Sequence, residues 1–167
     1  MAAPLDEIDR RILRALQQNA RTTNSDIARE LDMAPSAILE RIRKLETRGV
    51  ITGYEAKLDA KTLGYGLVAF ISVRAGDKHH NDSLEARLMK IPEVQEVHCV
   101  AGEDCYLLKV RAPDVESLRE LLSKIAAENV IGTKTTIVLQ SLKESGRVPV
   151  RPAETPAASP VRGIIRP

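Results

Sequence analysis

Apolar residues in the first 50 positions recur with the spacing of amphipathic helices. The pattern predicts one helix over residues 5–18 and, after a polar break, a short second helix capped by Thr23, with Asp26 three positions on in a capping-box arrangement. Pro35 suits the first position of a third helix, and Gly49 supplies its left-handed end. The inward apolar positions of the three helices are Leu5, Ile8, Ile12, Leu13, Leu16, Ile27, Ala28, Leu31, Ile38, Ile42 and Leu45.

Two short helices joined by the turn Asp32-Met33-Ala34, with a helix in front, are the layout of a helix-turn-helix. If the apolar stripe of the third helix faces inward, its small and cationic residues face outward, where they could approach double-stranded DNA. The candidate DNA-binding residues are Ser36, Ala37, Glu40, Arg41, Arg43, Lys44 and Arg48.

These outward residues suggest two kinds of contact with a duplex. Arg41 could pair with a guanine and Glu40 with a cytosine amino group, which would read sequence. Arg43, Lys44 and Arg48 are better suited to phosphates, which position a protein without reading bases. The charge pattern alone equally allows the solvated side of an ordinary surface helix, so it leaves both interpretations open.

After residue 50 the pattern changes to strands. Residues 50–66 are predicted to be an extended link or hinge, and the block after them follows a βαββαβ order, which is ferredoxin-like. Two helices can cover one face of such a sheet. Its other face is predicted to be apolar, including alternate residues of Leu67 to Val73, and to lack a cover inside the protomer, so it should be buried by a second protomer. The first predicted helix of this block carries Leu84, Leu88 and Ile91, and the second follows Asp114. The predicted strands are Leu67–Arg74, Val94–Val100, Tyr106–Arg111 and Thr135–Leu142.

Four segments follow from these patterns, in an α+β chain. They are a helix-turn-helix (winged-helix-like) domain over 1–49, a linking strand or hinge over 50–66, a βαββαβ domain over 67–145, and a tail over 146–167. The tail holds five of the nine prolines and almost no apolar periodicity, so it is predicted to be disordered.

Composition narrows the function classes. The longest apolar run is Leu67 to Ile71, well short of the ~18 residues that cross a bilayer, so a cytoplasmic protein without a membrane partner is expected. Aromatic residues make up only 2% of the chain, which disfavours stacking on single strands and favours duplex DNA. Cys99 and Cys105 are expected to be thiols because no CxxC pair or oxidising compartment is indicated.

Catalytic and metal-binding chemistry is not indicated by the sequence. His79 and His80 are adjacent, and His98 lies beside Cys99, but neither spacing matches a closed metal site. No nucleophile, base and orienting group form a recognisable set, and no phosphate-binding glycine loop is present in the sequence. We therefore expect no enzyme activity, no cofactor and no bound metal.

Residues 5–58 resemble the DNA-binding half of the Lrp/AsnC (feast/famine) transcription regulators. The stretches LDEIDRRIL, RIRKLETRGVI and GY-x-A carry this resemblance, which continues to about residue 145. The family usually has Gly in the turn and Ser before the Pro, where this chain has Asp32 and Ala34. Asp tolerates the left-handed conformation, whereas Ala34 forfeits a side-chain cap worth about 1 kcal/mol.

The resemblance implies a homodimer at least, with dimers often joined into octamers, and an amino-acid effector held between dimers near a Gly-acidic turn. The stretch VAGEDCYLLKV, residues 100–110, resembles that turn, although many relatives have Asp in place of Cys105. A plain hairpin turn is an equally good interpretation of 102–104 from the residues alone. The effector-binding residues implied by the resemblance are Gly102, Glu103, Asp104, Cys105, Thr133, Thr135 and Thr136.

Two other functions remain open at this point. An architectural protein would bind DNA with little sequence choice and no effector, and its ratio of specific to non-specific affinity would reveal it. A siroheme-decarboxylase-like enzyme shares the two-module layout, but it would need His and Arg at the module junction, and residues 50–66 contain neither.

Overall fold

The computed structural model describes residues 4–76 and 82–152, which form two compact units. The N-terminal unit comprises the chain up to Ala56 together with the segment from Ser145, and the second unit is Lys57–Glu144. We call them the helical unit and the sheet unit. The boundary between the units therefore falls inside the predicted link 50–66. The end of the described chain, from Ser145, belongs to the helical unit.

The helical unit contains the three predicted helices, and their ends follow from their caps. The Asp6 carboxylate accepts the amide of Asp9 at 2.7 Å and starts the first helix. The Thr23 hydroxyl oxygen accepts the Asp26 amide at 3.1 Å, which confirms the predicted cap. Asp32 ends the second helix with φ 52°, the left-handed turn that Asp tolerates. The helices are α1 (Glu7–Gln18), α2 (Asn24–Leu31) and α3 (Pro35–Thr47).

An apolar core joins the three helices and confirms the predicted inward stripes. Ile12 and Ile38 are fully buried, and Ile27 and Leu45 are 1% exposed. Burying side chains of this size stabilises the unit by roughly 1.5–3 kcal/mol each. The buried residues of this core are Ile12, Leu13, Ile27, Ala28, Ile38, Ile42 and Leu45.

The sheet unit has the predicted βαββαβ order, with strands arranged β2-β3-β1-β4 and all neighbours antiparallel, as in a ferredoxin-like fold. The last strand was predicted at 135–142, which is wrong. Strand pairing with β1 begins at Val130, and after Ile137 only the Val138 amide still bonds to it. The elements are β1 (Leu67–Ala75), α4 (Asp82–Leu88), β2 (Val94–Cys99), β3 (Tyr106–Ala112), α5 (Val115–Ile125) and β4 (Val130–Ile137).

One face of the sheet forms the core of this unit with α4 and α5. On β1 this face carries Ala69, Ile71 and Val73, each fully buried. The opposite face was predicted to be apolar, and the structure shows a mixed face instead. Phe70 is 38% exposed there, but its partner across the strands is Lys109.

Residues 50–66 form neither a helix nor a strand, so the strand alternative of the predicted linking strand or hinge is wrong. The segment contains a turn in which the Asp59 carboxylate accepts the Thr62 hydroxyl at 2.6 Å and the Lys61 amide at 3.1 Å. Side chain to backbone bonds of this kind favour turns over strand pairing.

The prediction of a disordered tail from residue 146 is also wrong for its first residues. The backbone of Val148 forms two hydrogen bonds with the side chain of Gln17 on α1, and Val150 packs against the helical core. Composition predicted disorder because this stretch has few apolar residues, but polar groups of α1 hold its backbone. Residues 153–167, like His79 and His80, lie outside the described residues.

The first turn of α3 offers a direct test of helix capping. Ala34 has the extended backbone of a cap residue, φ −73° and ψ 138°, but makes no side-chain cap bond. Ala34→Ser should therefore raise the free energy of unfolding of the helical unit by about 1 kcal/mol. Urea unfolding followed by helical ellipticity measures the gain. Ala20→Ser, in the exposed turn after α1, is the matched control and should change little. Equal effects of the two variants would contradict the capping argument.

Candidate nucleic-acid interface and effector turn

Helix α3 presents a polar side to solvent because its apolar stripe is fixed in the helical core. At its start Ser36 is exposed and Ala37 is half-buried, and both side chains are short. The first turn carries no acidic residue, in contrast to the first turns of α1 and α2. The positive end of the helix dipole is therefore not neutralised by carboxylates of its own, which favours approach of phosphates.

Arg41 does not extend freely from this side. Its Nη1 lies 2.6 Å from Asp6 Oδ2 and 2.7 Å from Asp9 Oδ1, and its side chain is 29% exposed. Asp9 is a buried charged residue, 8% exposed. This geometry differs from the predicted contact of Arg41 with a guanine, because the guanidinium links α3 to the start of α1.

The sequence did not predict that Asp6 and Asp9 would be partners of Arg41. Asp6 caps α1, and the Asp9 amide together with Arg41 holds the pKa of Asp6 below its usual value despite partial desolvation. The same carboxylates raise the pKa of Arg41, with the Asp6 hydrogen bond as the main cause. The only sign of this contact in the sequence was a pair of acidic residues, Asp6 and Asp9, three positions apart at the start of α1. Acidic residues there are also explained by the helix dipole alone, so the pair did not indicate Arg41 as a partner.

The other cations of α3 are exposed. Lys44 Nζ lies 2.6 Å from Glu40 Oε1, four residues earlier, and both side chains are about two-thirds exposed. The Lys44 hydrogen bond lowers the pKa of Glu40. Arg43 is exposed and has no carboxylate partner within the described chain. Arg48 is exposed at the end of α3, where its amide donates to the Lys44 carbonyl at 3.0 Å.

The turn at 102–104 joins β2 to β3. Gly102 has φ 143°, a conformation that residues with a Cβ rarely adopt, and a Cβ there would meet no atom within 4 Å. Glu103 is exposed. Asp104 is half-buried, with its Oδ1 3.8 Å from Arg74 Nε on β1. Of the two adjacent carboxylates, one is thus paired within the protomer and one faces solvent.

Cys105 and Thr133 lie at the same end of the sheet. The Cys105 amide donates to the Val73 carbonyl at 2.9 Å, and Val73 is the strand partner of Thr133 on the other side of β1. Thr135 and Thr136 pair with residues further along β1, on opposite faces of the sheet. The structure therefore brings Cys105 and Thr133 to two sides of one residue and places the other two threonines further away.

The described residues contain no group of three or more His, Cys, Asp or Glu side chains that could hold a metal ion. His98 lies 3.0 Å from Glu96 Oε2 on the same strand. In the same parts of the chain no helix is long and apolar enough to span a membrane.

Two family models match the two halves of the chain. Residues 5–52 match a winged helix-turn-helix DNA-binding domain, and residues 68–148 match the Lrp/AsnC ligand-binding domain. The first match covers α1 to α3, and the second covers the sheet and extends to Val148.

Proteins similar to this chain in sequence agree with the two family matches. The chain is 37% identical over 141 residues to the HTH-type transcriptional regulator LrpA of Mycobacterium tuberculosis, covering 84% of this chain and 94% of the relative. It is 35% identical to the leucine-responsive regulatory protein of Salmonella typhimurium, over 88% and 92% of the two chains.

Solved structures extend this similarity to the fold. AsnC of E. coli superposes with a TM-score of 0.82 at 30% identity, over 89% of this chain and 100% of the other. The feast or famine regulatory protein of M. tuberculosis complexed with L-methionine superposes at 0.81 with 36% identity, over 87% and 99%. A Neisseria meningitidis transcriptional regulator in complex with L-methionine gives 0.82 at 29%, over 88% and 97%. The chain therefore belongs to the Lrp/AsnC family of transcriptional regulators.

Proposed function

We propose that this regulator binds specific sites on double-stranded DNA through α3 and that a small amino acid modulates its assembly or its affinity for DNA. The observation that carries the DNA half is the orientation of α3. Its apolar stripe is buried, and its exposed side combines short residues at the start with cations further along. A helix of this kind fits the major groove with its first residues nearest the base edges.

The exposed residues divide into base contacts and phosphate contacts. Ser36, Ala37 and Glu40 lie at the start of α3 and are proposed to approach base edges. The basic side chains further along are proposed to contact phosphates. The Glu40–Lys44 pair does not oppose this role. Both side chains are exposed, so solvent screens the pair and Lys44 can exchange the carboxylate for a phosphate. The proposed phosphate-contacting residues are Arg43, Lys44 and Arg48.

Arg41 is proposed to act as a positioning residue. Packing of an apolar stripe tolerates small rotations of a helix, whereas two short hydrogen bonds to Asp6 and Asp9 hold α3 at one rotation. The angle at which the exposed side of α3 meets a groove would then depend on this contact, although Arg41 itself touches no base.

A homodimer, with further assembly into octamers, is proposed for the sheet unit. Phe70 is 38% exposed on the sheet face away from the helices, and Leu139 and Leu142 are 98% and 87% exposed in the following segment. Apolar side chains exposed to this extent favour burial against another copy. Paired α3 helices would then contact half-sites about 34 Å apart, or a multiple of that distance.

The proposed effector is a small amino acid bound near the 102–105 turn. Two similar regulators were solved with L-methionine, which supports an amino acid as the ligand class. Backbone amides at the Gly102 turn can hold a carboxylate, and Glu103 can pair with an α-ammonium group because it is exposed. Asp104 is already paired with Arg74, so Glu103 is the better candidate for that role. The remaining proposed lining residues are Cys105, Thr133, Thr135 and Thr136.

The phosphate contacts can be tested by charge removal. Arg43→Ala and Lys44→Ala should each weaken binding by a similar factor on every duplex, and each should reduce the slope of log affinity against log salt by about one unit. Fluorescence anisotropy titrations at several salt concentrations measure both quantities. Arg119→Ala on α5, another exposed arginine, is the control and should leave the slope unchanged. A loss confined to the specific site would assign base reading to these residues.

Removal of Arg41 tests its positioning role. Arg41→Gln should lower the free energy of unfolding of the helical unit by about 1–3 kcal/mol, because it leaves the nearly buried carboxylate of Asp9 without its cation. It should also weaken binding to specific and non-specific duplexes alike. Urea unfolding and DNA titration measure the two effects, with Arg43→Gln as the control that keeps normal stability.

The same variant has an expected pH dependence. Because the native pKa of Asp6 is lowered, the stability it contributes is fully present above the ordinary carboxyl pKa of about 3.9 and is lost as pH falls through the lower native value. The stability difference between parent and Arg41→Gln should therefore shrink below about pH 3.9. Unchanged stability at pH 7, or loss of affinity only on the specific sequence, would contradict the positioning role.

The effector turn can be tested with L-methionine as the probe. A ligand of the folded state raises the melting temperature by mass action, and Glu103→Gln should reduce this shift by removing the partner of the α-ammonium. Gly102→Val should abolish it by changing the strained turn. Glu120→Gln, exposed on α5, is the matched control. A normal shift in both variants, with DNA binding intact, would place the effector elsewhere.

A further inference from the structure

Helix α1 binds a segment of backbone from the other end of the described chain. Gln17 Oε1 accepts the amide of Val148 at 2.7 Å, and Gln17 Nε2 donates to the Val148 carbonyl at 3.0 Å. One turn earlier on the same side, Arg14 donates to the Val150 carbonyl at 3.4 Å. One further turn back, Arg10 donates to the carbonyl of Arg151. Three side chains at helical spacing thus bind main-chain groups of Val148, Val150 and Arg151.

Two further contacts fix the same segment. Val150 is half-buried and packs against the helical core, and Arg147 donates to the Gln18 carbonyl at 3.4 Å, at the end of α1. That carbonyl belongs to the last turn of the helix, where carbonyls lack partners within the helix. We call residues 147–151 the clasp. Its backbone is held at several points, and one apolar side chain anchors it.

The chain just before the clasp is anchored in the sheet unit. Glu144 Oε2 lies 2.8 Å from Arg111, and Glu144 Oε1 lies 3.5 Å from Lys109, both on β3. Burial raises the pKa of Glu144, but the two cations outweigh it and lower the pKa below its usual value. The carboxylate is therefore held in its charged form by two cations at once.

The two anchors leave very little free chain between them. Only Ser145 and Gly146 separate Glu144 from the clasp, and three residue steps can span at most about 11 Å. The other connection between the units runs from Tyr54, whose hydroxyl donates to Glu46 Oε1 on α3 at 2.9 Å, to Leu67 at the start of β1. The stretch 55–66 could span roughly 40 Å if fully extended, so by itself it would restrict the helical unit only weakly.

We propose that the clasp, bound to α1 of the same chain, makes Ser145–Gly146 a second and much shorter connection between the units, and that this connection restricts the motion of the helical unit. With one long link, the conformational freedom of the helical unit is set by a flexible chain. With the clasp closed, the unit is held at two points and samples far fewer orientations. Because the free protein then samples fewer orientations of the two units, less conformational entropy is lost when both units bind one partner molecule.

The clasp itself can be tested by proteolysis of the full-length protein. Trypsin cleaves the Arg147–Val148 bond only when the clasp opens, whereas Arg151 is followed by Pro152 and resists cleavage. Gln17→Ala removes two hydrogen bonds and should speed this cleavage by about tenfold or more. Gln18→Ala is the matched control, since only its backbone carbonyl contacts the clasp. Mass spectrometry of the released fragment gives the rate.

The restriction of motion needs a variant that leaves the clasp closed. Six Gly and Ser residues inserted between Ser145 and Gly146 lengthen the short connection without changing any clasp residue. The same insertion after Ala56 lengthens only the long link and is the control. A fluorophore attached through a clickable amino acid at exposed position 25 reports motion of the helical unit by anisotropy decay. The first insertion should raise the amplitude of the fast component at least about twofold, and the second should leave it nearly unchanged.

Three results would overturn the proposal. The first is equal cleavage of the parent and Gln17→Ala, and the second is an unchanged anisotropy decay after insertion at 145. The third is trypsin protection that increases with protein concentration, because the clasp would then come from another copy. None of these measurements uses DNA or an amino acid, so they succeed or fail independently of the proposed regulator function.

Discussion

A directional contact, the bridge from Arg41 to Asp6 and Asp9, joins α3 to the start of α1 in the helical unit. Apolar packing brings α3 against α1 and α2, but it is non-directional and permits small rotations of a helix about its axis. The bridge adds two short hydrogen bonds of defined direction between the helices, and the same Asp6 also starts α1. The exposed side of α3 is therefore linked to the first turn of α1 through Arg41.

Local signals predicted most of the fold, and contacts between distant residues were the part that could not be predicted. Thr23, Pro35 and Gly49 act through neighbouring backbone, so their roles were readable from the sequence. The bridge to Arg41 joins positions 32 and 35 residues apart. An arginine on the outward side of a helix looks the same in sequence whether it is free or paired. The clasp was missed for a similar reason, since composition counts apolar side chains and not the backbone groups that Gln17 binds.

In the candidate effector turn, the family pattern predicted the glycine but not the contacts of the acidic residues beside it. Gly102 has the strained backbone that explains why this position carries glycine. The pairing of Asp104 with Arg74 was not predictable, because β1 and the turn are distant in sequence and come together only through strand pairing. As a result, the two adjacent acids of the turn have different environments, although the sequence presents them as equivalent.

The helical unit is discontinuous in sequence, since its core ends near residue 56 and its clasp begins at residue 147. On the ribosome, roughly ninety residues of sheet unit emerge between them, which takes about 5–20 s at ordinary rates of synthesis. The three helices therefore have time to fold before their last piece exists. A nascent or prematurely ended chain would display a complete helix-turn-helix whose α1 surface is still open, and only the finished polypeptide can close it.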